Sequence, residues 1–194
     1  MENRQRLDRT KIEEAFRIMG QYLLDRKTLG EIAIYGGSAI LFQFDWRRTS
    51  FDVDARVTST GNHGAIMEAV QEAAQRLHLP RSWLNENVAM YARRDEGRED
   101  CVFLGLYPSP ERFGLRVTAA KPEYILAMKL KALERVTADD RDYQDAIKPG
   151  IECGVRTIEG FKGIFGKFFG DEELPLAADL RLKDLVTAVE AELD

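Results

Sequence analysis

Two spacings of apolar residues alternate along this chain, and the switches between them mark out its elements. Ile12, Phe16, Met19 and Leu23 recur at helical intervals, and Thr10 stands three residues before Glu13 as in a capping box. A first helix is therefore predicted from Lys11 to Asp25. "EIAIYGG" is a short apolar run ended by two glycines and reads as a buried strand. "SAILFQF" follows, with Ser38 placed to cap a helix start. "FDVDARV" alternates strictly and predicts a second strand. After the turn cluster "TSTGNHG", "AIMEAVQEAAQRLHL" returns to helical spacing and is stopped by Pro80.

Farther on, "SWLNENVAMYA" predicts a short helix and "RRDEGRED" a charged loop. "CVFLGLY" and "GLRVTAA" are two more strand candidates. The rest is helical. "KPEYILAMKLKALERV" has Pro122 in its first turn, "ADDRDYQDAIK" is stopped by Pro149-Gly150, and amphipathic segments lie near 156–169 and 179–193. Strands mixed with helices over 1–120, then helices alone over 121–194, predict an α/β (α+β) chain. Its expected architecture is a small mixed β-sheet core followed by a C-terminal helical bundle.

Composition narrows the function classes. Apolar residues make up 44% and charged residues 31% of the 194, which is ordinary for a globular protein. No apolar run is long enough to span a bilayer, and "MENRQRLDRTKIEEAF" lacks an apolar signal region, so a cytoplasmic location with no membrane partner is expected. Cys101 and Cys153 lie far from His63 and His78, which gives no zinc-ligand cluster. The net charge of -5 argues against non-specific DNA binding as the main task. Basic density is nonetheless local, at Arg47, Arg48 and Arg56 and again at Arg93, Arg94 and Arg98, although any one of these also suits a solvated face. His63, His78, Trp46, Trp83 and the stripe Phe161, Phe165, Phe168 and Phe169 read as surface or packing residues.

The candidate chemistry lies in "GGSAILFQFDWRRTSFDVD". Asp52 and Asp54 are two apart on a predicted strand, so both carboxylates leave one face of the sheet. Two acids that close repel unless a cation sits between them, and Mg²⁺ takes one or two carboxylates together with substrate phosphates. An isolated Asp-x-Asp also suits a solvent-facing strand. Gly36 and Gly37 let the backbone approach a ligand at a helix N-terminus, where free N–H groups suit phosphate oxygens, but they would turn the chain in any case. Ser38 could cap or donate to a phosphate. Arg48, followed by Ser50, brings a guanidinium that matches phosphate or could pair with the aspartates.

Gly36-Gly37-Ser38 followed by Asp52-x-Asp54 resembles the first motif of the DNA polymerase β-like nucleotidyltransferase superfamily. "RTSFDVD" looks like the bacterial AbiEii-type and related minimal nucleotidyltransferases, many of which are toxins of toxin–antitoxin systems. "PEYILAMKLKAL" followed by "DDRDYQDAI" resembles that group's other signature, an inward lysine and then Arg-Asp-x-x-Asp, here Lys129, Arg141, Asp142 and Asp145. "SWLNENV" is similar to a segment lying between the two motifs in relatives.

The resemblance implies a Mg²⁺-dependent enzyme that binds a nucleoside triphosphate through Gly36, Gly37, Ser38, Arg48 and Ser50. Asp52 and Asp54 would hold the metal, and Lys129, Asp142 and Asp145 would join them in catalysis. It also implies an acceptor hydroxyl, for instance a tRNA 3′ end, and a cognate antitoxin. The residues themselves leave Lys129 open between an inward charge on an apolar helix and a snorkelling lysine such as Lys131. Asp142 is its expected partner, and Asp145 suits an exposed acidic face equally well. The superfamily's third strand carboxylate, the base, has no counterpart in "CVFLGLY" or "GLRVTAA"; only Asp100 stands at an edge. Asp142, Asp145 or Asp54 would have to serve. Two other readings stand beside this one: a non-catalytic nucleotide- or partner-binding module on the same fold, and a small-molecule adenylyltransferase acting on an antibiotic.

Overall fold

The computed structural model describes residues 6–44, 48–93, 96–134, 141–170 and 172–193. Trp46, Arg47, Arg94 and the first residues of "ADDRDYQDAIK" lie outside the described residues, as does the side chain of Arg141. The chain forms two compact units. One comprises the chain up to Ala89 together with Cys101–Ala120; the other comprises Met90–Asp100 together with the chain from Lys121 onward.

The first unit is a five-stranded mixed sheet, β1 (Gly30–Ile34), β2 (Val53–Val57), β3 (Leu84–Asn85), β4 (Cys101–Pro108) and β5 (Phe113–Ala120), in the order β3-β2-β1-β5-β4. β1 runs parallel to β5 and antiparallel to β2, β2 runs parallel to β3, and β4 pairs antiparallel with β5. Among the described residues its helices are α1 (Arg9–Asp25), α2 (Gly36–Gln43) and α3 (His63–Leu77).

The pleat divides the sheet into two unlike faces. Ile32, Ile34, Val53, Ala55, Leu115, Val117 and Ala119 are buried on one, where Leu23 of α1 and Ile66 of α3 close against Gly30. Phe16 of α1 extends this core, stacking on Phe42 of α2 at 6.0 Å and meeting Tyr107 of β4 edge-on at 5.4 Å. The other face is polar. Its register row runs from Arg56 through Ala33 and Thr118 to Phe103, and the neighbouring row brings Glu31 beside Arg116.

The second unit is helical: α4 (Pro122–Ala132), α5 (Arg141–Glu152), α6 (Ile158–Phe169) and α7 (Leu176–Ala191). The phenylalanine stripe of α6 is buried, with Phe168 stacked on Tyr124 at 4.9 Å. The segment at 90–100 is pinned to these helices. Arg93 donates to Asp100 at 2.9 Å, the Arg93 amide donates to the Tyr124 hydroxyl, and the Lys121 amide donates to the Asp100 carbonyl. Among the described residues no helix is long and apolar enough to cross a membrane.

Four local expectations change. Asp8, not Thr10, caps α1, accepting from the Lys11 amide, so the helix starts at Arg9. "SWLNENVAMYA" is not a helix but the strand β3 and a 3-10 turn at Asn87–Met90, because Leu84 and Asn85 pair with Val53 and Asp54. Trp83 fixes this segment by donating its indole N–H to the Val70 carbonyl. The loop "RRDEGRED" ends in a 3-10 turn at Arg98–Asp100. Pro149 does not stop α5, which continues to Glu152. Gly150 is packed against Phe161 and Val189, so tertiary burial outweighs the amide lost at the proline.

Candidate active site

The first half of the site is built where β1 meets α2. Tyr35 leaves the strand in extended conformation and its amide donates to the Asp54 carbonyl at 2.9 Å. Gly36 then turns the chain with φ +53, a left-handed conformation in which a side chain is strained. A Cβ at this position would lie 3.1 Å from Asp54 Oδ2. The glycine is thus required twice, by the turn and by the carboxylate facing it. Gly36 and Gly37 form the first turn of α2, whose leading N–H groups have no partner within the helix.

Ser38 does not cap this helix. It lies inside the first turn, buried, and its hydroxyl donates to the Tyr35 carbonyl at 2.8 Å. Reaching a phosphate would require that hydroxyl to rotate.

Asp52 lies one residue ahead of β2 and Asp54 lies on it, with the fully buried Val53 between them. Both acids are half-buried. Asn85, the register partner of Asp54, donates its amide to Asp52 Oδ2 at 3.3 Å. This asparagine joins the acidic pair without having been singled out by type or spacing. The only sequence signal for it was the "SWLNENV" segment. Ser50 is buried, and its backbone bridges to Leu7 with bonds of 2.7 and 2.8 Å, which anchors the approach to Asp52. Arg48 is exposed.

The donor chemistry of Asp52 and Asp54 fits a hard cation such as Mg²⁺, since both offer carboxylate oxygens beside a cradle that a Cβ would fill. Among the described residues no group of three or more His, Cys, Asp or Glu side chains is placed to hold a metal ion. Two carboxylates would therefore rely on phosphate oxygens and water to complete the shell.

The second cluster lies on α4 and α5. Lys129 Nζ donates to Asp142 Oδ1 at 2.7 Å and to Asp145 Oδ2 at 3.0 Å, so both acids take the lysine rather than Asp142 alone. Leu126, Leu130 and Leu133 are buried around it, and only 15% of the lysine side chain is exposed. Burial works to lower the pKa of the ammonium. The charges of Asp145 and Asp142, with their hydrogen bonds, outweigh it and hold the group above its ordinary value. An ammonium has three N–H donors, so two carboxylates leave one for a further acceptor.

β4 and β5 contain no acid, and Thr118 and Ala120 stand on the polar face beside β1. Asp100 is engaged elsewhere, buried and accepting from Arg93 and from the Gly97 amide. Cys153 is not a nucleophile at neutral pH. Burial, then Glu123 and Glu152, push its thiol up to about 12. His63 is exposed and pairs with Glu86 at 2.7 Å, and the exposed His78 closes α3.

The structure therefore groups Gly36, Asp52, Asp54 and Asn85 within the first unit, and Lys129, Asp142 and Asp145 within the second. No family model and no curated protein sequence matches this chain. A solved structure does. It is that of an antigenic nucleotidyltransferase-like protein from Paracoccidioides brasiliensis, 16% identical, with a TM-score of 0.51 over 96% of this chain and 95% of the other. At that identity the likeness speaks for the fold alone: the chain has a nucleotidyltransferase-like fold.

Proposed function

We propose that this protein is a nucleotidyltransferase that moves a nucleoside monophosphate from a nucleoside triphosphate to an acceptor hydroxyl. The observation that carries the reading is the placement of Gly36 before Asp54: a left-handed glycine at a helix start, faced by a carboxylate oxygen 3.1 Å from where a Cβ would be. A triphosphate needs these two features side by side, whereas an ordinary strand-turn-helix needs only the turn.

In this reading the leading amides of α2, at Gly36 and Gly37, receive the phosphates, with Ser38 beneath them and Arg48 at the exposed side. Asp52 and Asp54 hold Mg²⁺, which when bound supplies charge neutralisation at the phosphate oxygens. Asn85 orients Asp52. The acceptor oxygen bonds to the α-phosphorus, the bond to the bridging oxygen breaks, and pyrophosphate leaves. Asp54 takes the hydroxyl proton, because β4 and β5 offer no acid and Asp142 and Asp145 both engage an ammonium. The resemblance to AbiEii-type proteins supports a toxin role, a tRNA 3′ end as acceptor and a cognate antitoxin as partner.

The test is transfer of label from each α-labelled nucleoside triphosphate, with Mg²⁺, into total RNA, protein or small molecules of a cell lysate. Transfer that Asp52→Asn and Asp54→Asn abolish is expected. The absence of transfer with all four nucleotides and all acceptor fractions would overturn the reading. The missing strand acid favours a second reading, a triphosphate-binding module without turnover. Calorimetry that detects triphosphate binding with no label transfer would select it.

A further inference from the structure

The face of the sheet that bears Asp54 continues away from it through half-buried Arg56, Thr118 and Arg116 and buried Ala33 to an exposed aromatic on the edge strand. Phe103 on the edge strand β4 is 57% exposed. Its ring lies under the Arg116 guanidinium, 5.5 Å from centroid to carbon. Arg56 lies on the same register row as Phe103, three strands away across Ala33 and Thr118. Glu31, in register beside Arg116, and Asp54, two residues before Arg56, are the acids of this face, and Arg116 and Arg56 are its guanidinium groups. A guanidinium has five N–H donors, so engagement with a protein carboxylate leaves donors for another anion.

We propose that this face docks a single-stranded nucleic acid, with Phe103 stacking one base and Arg116 and Arg56 meeting phosphates. An aromatic ring with cations around it on a sheet face serves this partner because every base offers a flat π-surface and every linkage a negative charge. Arg116 lies over the ring at 5.5 Å, and more than half of the side chain remains exposed to meet a base. A folded protein partner would instead be met by a wider apolar patch, and here the ring stands beside Thr118 and Arg116 with Leu106 the one large aliphatic near it on that face.

The inference rests on the nucleotidyltransferase reading for one element, that the strand's terminal hydroxyl lies at Asp54. Strands about 4.8 Å apart put Phe103 roughly 16 Å from Asp54 along the face. At about 3.4 Å per stacked nucleotide that is nearly five steps, so the base on Phe103 would be about the sixth from that end.

The test uses the full chain and a fluorescein-labelled ten-nucleotide single-stranded RNA of mixed sequence, with anisotropy as readout. Phe103→Ala should weaken binding about 5- to 100-fold, and Phe103→Trp should restore it. Arg116→Gln should also lower the slope of log affinity against log salt by about 0.7, which a merely structural change would not do. The affinity for a labelled nucleoside triphosphate should be unchanged in both. Equal RNA binding by wild type and Phe103→Ala, or no binding by wild type, overturns the inference. Self-association that Phe103→Ala removes, without RNA binding, overturns it in favour of a second copy as occupant. RNA binding that depends on Phe103 in a protein that transfers no nucleotide leaves the inference standing while the transferase reading falls. Transfer to a small molecule or protein without RNA binding does the reverse.

Discussion

Two pairs of aspartates, alike in type and nearly alike in spacing, end in opposite situations. Asp142 and Asp145 close on the Lys129 ammonium at 2.7 and 3.0 Å, a cation supplied by the protein itself. Asp52 accepts an amide hydrogen from Asn85 at 3.3 Å, and Asp54 stands before Gly36, where a Cβ would lie 3.1 Å from its Oδ2. Charge makes the difference instructive. A half-buried carboxylate pair must be compensated, and a pair compensated internally by a lysine is a structural device first and a ligand site second.

Substitutions at the two pairs should therefore fail in different currencies. The largest effect is on chemistry. Asp54→Asn should lower nucleotide transfer by about 10²- to 10³-fold, with a smaller loss of stability in urea than Lys129→Met gives. A fall in stability with transfer intact would place Asp54 in the structural class. Next comes Lys129→Met, which strands two carboxylates. Breaking a fully buried pair costs about 3–5 kcal/mol, and with 15–27% of these side chains exposed a loss of about 2–3 kcal/mol in urea unfolding is expected. Adding Asp142→Asn and Asp145→Asn should recover most of it. A loss below about 0.5 kcal/mol would mean that the cluster behaves as a surface pair.

Gly36→Ala should cost about 1–2 kcal/mol from the left-handed backbone, and should weaken triphosphate binding because the new methyl crowds Asp54. Unchanged triphosphate affinity by calorimetry would remove the cradle from the site. The smallest effect is a null one. Because the folded pKa of Lys129 lies above its ordinary 10.5, its stabilisation is complete below that value and is lost only as pH rises through the folded pKa. The stability gap between wild type and Lys129→Met should then be equal at pH 7 and pH 9. A gap that narrows across that interval would show that the carboxylates do not hold the ammonium charged.

Much of this arrangement was legible in the chain because it follows from local patterns. An apolar run ended by glycines marked β1, strict alternation marked β2, short apolar segments marked β4 and β5, and a proline-led apolar segment and an amphipathic one marked α4 and α6. Lys129 was legible for the same reason, a charge on a stripe of leucines. β3 was not. Two residues have no period, and Leu84 and Asn85 are strand only because β2 lies beside them and Trp83 is anchored to Val70. Asn85 was therefore invisible as a neighbour of Asp52. Pro149 misled for a related reason: the proline rule is local, and Gly150 is held by Phe161 and Val189 from elsewhere in the chain. The doubled demand on Gly36 also needed coordinates, since the sequence shows a glycine but not the carboxylate in front of it.

The short excursion at 90–100 bears on how the protein can be made and cut. The chain passes between its two units three times, after Ala89, after Asp100 and after Ala120. During synthesis the sheet of the first unit has all its strands once Ala120 has left the ribosome, but Arg93 and Asp100 emerge long before the Phe168 carbonyl that Arg93 also meets. That segment must wait through the translation of α4, α5 and α6 for its partners. A fragment ending at Ala120 would carry the segment without Tyr124, whose hydroxyl accepts from the Arg93 amide. A dissection that respects the packing would need to replace 90–100 with a linker rather than simply truncate the chain.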